Sequence, residues 1–120
     1  MYTVTIEPGH NLMRIEVVGF WSVSIIPDYV AELTRQIGAL ESSGGCQRIL
    51  VDMTNYPIQA QAVAKAHARI IDYGRNDLKA LTAVVMTSEL SKLQAKRMAN
   101  LAGHELFDSE ESARGWLLAA

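Results

Sequence analysis

Two short apolar runs constrain this chain most: Arg48-Ile49-Leu50-Val51-Asp52-Met53 and Leu81-Thr82-Ala83-Val84-Val85-Met86. A strand with one wet face alternates apolar and polar residues, because successive side chains point to opposite faces. These runs are instead apolar at consecutive positions and bounded by loop residues, the pattern of strands buried on both faces in a parallel sheet. Parallel neighbours need crossover connections, so helices are expected between them.

The remaining pattern supplies those helices. Tyr2, Val4 and Ile6 alternate with Thr3, Thr5 and Glu7, and Met13, Ile15 and Val17 alternate with Arg14 and Glu16. With the turn residues Pro8-Gly9-His10-Asn11 between them, the two runs read as an antiparallel hairpin. Pro27 and Asp28 open a helix in which Val30, Leu33, Ile37 and Leu40 recur at helical spacing, and Ser42-Ser43-Gly44-Gly45 stops it. An alanine-rich helix is expected from Ile58 to about Tyr73, ended by Gly74. Ser88 is placed to cap a helix over Glu89 to Ala102, with Gly103 as its stop. His104 to Phe107 reads as a short last strand. Asp108 and Glu111 have capping-box spacing before a final helix carrying Ala113, Trp116 and Leu117. The expected fold class is α/β: one mixed five-stranded sheet in the order β-β-α-β-α-β-α-β-α, forming one domain over residues 1–120.

Composition narrows the function classes. A hydrophobic content of 49% with 20% charged residues can bury a core in a chain of 120 residues. The net charge of −2 lacks the basic excess of a nucleic-acid binder. Cys46 is the only cysteine, so neither an intrachain disulfide nor a cysteine-rich zinc site is expected. His10, His67 and His104 are too far apart for a His-x-x-x-His pair, so no metal or other cofactor is expected. Met1 to Gly9 has no signal-peptide pattern, and no apolar run approaches the ~20 residues of a membrane span. The expectation is a cytoplasmic protein without stable membrane insertion.

Two regions are candidate sites. Ligands of open α/β sheets gather at the carboxyl ends of parallel strands. Those ends carry Asp52, Thr54, Asn55 and Tyr56 after one strand and Thr87 and Ser88 after the next. They form either a small polar patch for a ligand or partner, or a set of helix caps and turn residues. Asp52 either has a raised pKa or bonds backbone amides of the following turn, the more common fate of such a group. The second region is Phe20, Trp21, Ile25 and Ile26, with Val63 and Ile70 on the alanine-rich helix. It is either a pocket with an apolar lid or an edge folded under to close the core. His67 shares the helix face of Val63 and Ile70 and reads as a hydrogen-bonded core residue rather than a catalyst.

The element order, the two apolar strands and the tail from Leu106 to Leu117 together resemble the STAS domain, and within it the SpoIIAA-like group of small bacterial proteins. The tail is the most specific part: a strand ending in Phe107-Asp108, then Glu110-Glu111, Ala113 and Trp116-Leu117. The resemblance covers nearly the whole chain. It implies regulation by protein contact or ligand binding instead of catalysis. STAS antagonists of anti-sigma factors are switched by phosphorylation in an Asp-Ser-Ser-Gly-like stretch. Here the corresponding residues read Asp52-Met53-Thr54-Asn55-Tyr56-Pro57, with Thr54 and Tyr56 as the nearby hydroxyls. The first expectation is therefore a non-enzymatic regulatory or interaction module whose partner is a protein or a second copy as a homodimer. The alternative, suggested by the likeness of the group to the lipid-carrying CRAL-TRIO fold, is a carrier or sensor of a small apolar ligand.

Overall fold

The computed structural model describes residues 1–89, 93 and 105–119. One five-stranded sheet runs in the order β1 (Tyr2–Glu7), β2 (Leu12–Val17), β3 (Arg48–Asp52), β4 (Leu81–Val85) and β5 (Glu105–Phe107). β1 is antiparallel to β2, and every later pair is parallel. The mixed α/β sheet expected from the alternating and continuous apolar runs is thus present. The helices are α1 (Ile26–Leu40), α2 (Gln61–Asn76) and α3 (Glu110–Ala119). The helix expected over Glu89 to Ala102 lies largely outside the described residues, as does His104. Among the described residues no helix is long and apolar enough to cross a membrane.

Two layers of side chains explain why the central strands are apolar throughout. Met13, Ile15 and Val17 of β2, Ile49 and Val51 of β3 and Val84 of β4 face α1 and α2. Leu12, Leu50, Ala83 and Val85 face α3, against Ala113 and Leu117. Both faces of β3 are therefore removed from water, as a parallel strand requires.

The hairpin turn also sets the register of β3. Asn11 sits in the left-handed region at φ 51°, and its side-chain amide donates to the carbonyls of Ser43 (2.8 Å) and Gly45 (3.2 Å). Its own carbonyl accepts the amides of Gln47 and Arg48 at 2.9 and 3.0 Å. The loop leaving α1 is thus held to the start of β2, where Leu12 pairs with Arg48. Gly44 passes this point at φ 112°, a conformation that disfavours any side chain.

Charged side chains hold α3. Arg14 donates to both carboxylate oxygens of Glu110, the shortest contact being 2.8 Å, and Arg114 makes a two-pronged pair with Glu7 at 2.8 Å. These pairs bridge β1 and β2 to the last helix. The hydrogen bonds from Arg114 and Arg14 hold the Glu7 and Glu110 carboxyls below their ordinary range.

Three local expectations are corrected. α2 begins at Gln61, not Ile58, because Gln59 is engaged elsewhere and Ala60 is extended at φ −57°, ψ 149°. Gly74 does not end α2. It is buried inside the helix, where a Cβ would lie 2.8 Å from Cδ1 of Ile49. Its missing side chain lets the helix approach β3. Finally, α3 is capped by Ser109, whose Oγ accepts the amide of Ser112 at 3.1 Å, one residue after the Asp108 of the expected capping box.

Candidate functional site

α1 and α2 lie on the same face of the sheet and leave an apolar cavity of about 470 Å³ between them. Met13, Ile15, Ile49 and Val51 form its floor, Ile26, Tyr29, Leu33 and Ile37 one wall, and Ala66, Ile70 and Ile71 the other. The small side chain of Ala66 leaves room that a larger residue would fill. Val30 and Thr34 of α1 and Arg69 and Tyr73 of α2 also line it, and these four are exposed, so they mark its mouth. The floor is made by the same alternate residues of β2 and β3 that define the core. The polar groups beside them are satisfied: Thr82 Oγ1 donates to the Ala80 carbonyl at 3.1 Å.

A buried aromatic cluster closes one end of this cavity, with Tyr29 belonging to both. The Tyr29 hydroxyl lies 3.1 Å from Nε2 of His67, and the Tyr56 hydroxyl lies 3.1 Å from Nδ1. Trp21 stacks on the imidazole, with ring centroids 5.5 Å apart and planes at 20°. Tyr29 and Tyr56 meet the same indole in T-shaped arrangements. Burial alone drives the His67 pKa down to about 4, so the ring is neutral near pH 7. The same burial pushes both tyrosine hydroxyls up. His67 is the hydrogen-bonded core residue expected of it.

Gln59 anchors the loop that brings Trp21 to this cluster. Its Oε1 accepts the Trp21 amide at 2.8 Å, and its Nε2 donates to the carbonyls of Gly19 (2.9 Å) and Pro57 (2.8 Å). All functional atoms of a buried amide are thereby used. Pattern reading missed Gln59, because it lies within a stretch read as helix and two of its three partners, Gly19 and Trp21, are about forty residues away.

At the carboxyl end of β3, an open pocket of about 510 Å³ is lined by Phe20, residues 53–58 and Ser88. Of the expected polar patch, Thr54, Asn55, Tyr56 and Ser88 meet there. Asp52 does not line it: Oδ1 accepts the Thr54 amide (3.0 Å) and hydroxyl (2.6 Å), and Oδ2 accepts from Arg14 at 3.4 Å. Its role is to hold the turn and join the α3 clamp. Thr87 is exposed beside this pocket without lining it.

The expected apolar region divides. Ile26 and Ile70 line the cavity between the helices. Trp21 and Val63 do not; both are packed in the core. Ile25 is half-buried against the same core, and Phe20 is 80% exposed at the rim of the open pocket. The loop therefore folds Trp21 under while turning Phe20 out. Cys46 is half-buried, and burial pushes its thiol up to about 11, away from reactivity.

This arrangement of a hairpin, three further parallel strands and α1 and α2 on one face defines a SpoIIAA-like α/β fold. The crystal structure of an uncharacterised DUF3478-family protein with a SpoIIAA-like fold, from Shewanella loihica PV-4, matches it with a TM-score of 0.66. The match covers 97% of this chain and 93% of that one, at 18% sequence identity, a level at which the fold is what is shared. No family model and no curated protein matches the chain.

Proposed function

We propose that the protein is a non-enzymatic SpoIIAA-like binding module that holds one small apolar or lipid-like molecule between α1, α2 and the sheet. The observation that carries this reading is the cavity of about 470 Å³ with its aliphatic and aromatic lining. Small-ligand sites are typically ~300–1,000 Å³ and mostly apolar. A space lined by hydrocarbon gives water few hydrogen-bonding partners and favours an apolar guest. The non-enzymatic part rests on engagement of the two obvious candidate bases. Both nitrogens of His67 face tyrosine hydroxyls, and Asp52 is held by Thr54 and Arg14.

Calorimetric titration of solvent-extracted protein with hexanol, octanol and decanol tests the reading. Each methylene buried contributes ~0.8 kcal/mol, so affinity is expected to rise about fourfold per carbon until the cavity is full. Absence of binding across the whole series contradicts it.

One observation favours a second reading, contact with a protein or with another copy of this chain. Phe20 is 80% exposed and Ile58 40% exposed at the open pocket beyond the carboxyl end of β3, where two large apolar side chains face solvent together. Sedimentation of the wild type and Phe20→Ser tests self-association. A dimer lost in the variant supports it, and a wild-type monomer at all concentrations removes the homodimer.

A further inference from the structure

We infer that the molecule held between the helices is a single-chain amphiphile with an anionic head, its chain lying over the sheet and its head at Arg69. This rests on the proposed apolar-ligand reading and adds a polarity and an orientation to it. The floor and walls offer hydrocarbon, whereas the mouth does not. Arg69 is the one charged residue among the described residues lining the cavity, and it is exposed there.

Charge distribution supports the assignment. Arg14, Arg35 and Arg114 each pair with a carboxylate of the chain, at 2.8 Å for Arg14 and Arg114. Among the described residues Arg69 has no such partner, which it shares with Arg75, but Arg69 alone of the two stands at the cavity mouth. A guanidinium with its five donors in a planar fork suits a carboxylate or phosphate oxygen pair. Its aliphatic stem can cover the apolar mouth while the charged head stays in water. Tyr73, exposed on the same rim, brings a further hydroxyl. On the facing helix, Thr34 already donates to the Val30 carbonyl at 2.9 Å. A cationic amphiphile would be repelled by Arg69, whereas an anionic head is attracted to it. The volume of about 470 Å³ lies toward the lower end of the usual ~300–1,000 Å³ range, so one chain fits better than the two tails of a bilayer lipid.

The test is calorimetric titration with decanoate and decanol at pH 7.5, using wild-type protein, Arg69→Gln and Arg69→Lys. Because the head group stays partly in water, decanoate is expected to bind the wild type about threefold to fivefold more tightly than decanol. Arg69→Gln should erase that preference without weakening decanol binding, and Arg69→Lys should keep part of it. Equal binding of the two ligands by the wild type, or a preference that survives in Arg69→Gln, overturns the head-group assignment and leaves the apolar-ligand reading standing. If neither ligand binds, the apolar-ligand reading itself fails and the assignment falls with it.

Discussion

The Tyr29 hydroxyl lies 3.1 Å from Nε2 of His67, and this contact fixes which ring nitrogen carries the proton. Tyr29 is fully buried, and among the described residues His67 is its only hydrogen-bond partner. A buried hydroxyl that does not donate leaves its proton unsatisfied, which costs about 1–3 kcal/mol. Tyr29 therefore donates to Nε2, and Nδ1–H donates to the Tyr56 hydroxyl. The proton of Tyr56 is then free to point toward the open pocket that Tyr56 lines. Nitrogen-15 spectra of the imidazole should show the Nδ1–H tautomer in the wild type. Tyr29→Phe should cost about 1–3 kcal/mol and shift the tautomer population, because Nε2 loses its donor.

Stability should fall as the pH is lowered from neutral toward 4. The folded His67 pKa is about 4 against an ordinary value of 6.5. Between those values the unfolded chain binds a proton that the folded protein refuses, so folding is progressively disfavoured. The contribution is complete above 6.5 and lost as the pH falls through this window, by ~1.4 kcal/mol per pH unit at most and ~3 kcal/mol in all. Urea denaturation of His67→Gln across the same range should show a flatter profile. A second loss should follow as the pH falls below about 4.5, where the unfolded chain takes up protons that Glu7 and Glu110, held by Arg114 and Arg14, resist in the fold. Their depressed folded pKa values make that contribution present above 4.5 and absent in strong acid.

Gln59→Ala should release the Phe20–Trp21 loop. The substitution leaves the buried amide of Trp21 without its acceptor at 2.8 Å and removes the donor to Gly19 and Pro57. A loss of about 2 kcal/mol is expected in denaturant titration. Trp21 fluorescence should shift to longer wavelength as the indole gains water. An unchanged spectrum and stability would mean that packing against His67 and Tyr29 suffices to hold the loop.

What could be read along the chain depended on how local its cause was. The runs around Ile49–Val51 and Ala83–Val85 announce buried strands because both their faces are covered, and the hairpin follows from simple alternation. The start of α2 is not legible, since proline commonly opens a helix and it is the bonds of Gln59 to Gly19 and Trp21, far along the chain, that hold this segment out of the helix. Gly74 reads as a stop in isolation, yet Ile49 of another strand makes its lack of a side chain useful inside the helix. The site shows the same division. Ile26 and Ile70 were visible as apolar residues on helix faces, whereas the Tyr29–His67–Tyr56 chain joins three segments that no periodicity connects. The place of Asp52 was half visible: its turn bonds are local, and its contact with Arg14 is not.

If the space between α1 and α2 is a ligand site, filling it should abolish binding. Ala66 lines the cavity on α2, so Ala66→Phe should occupy it, with Ala66→Leu as a milder variant. Decanol titration should show binding to the wild type, at least tenfold weaker binding to Ala66→Leu, about the loss of two buried methylenes, and none to Ala66→Phe. Circular dichroism should show all three folded. Undiminished binding in both folded variants, or none in the wild type, would show that this space is not the ligand site.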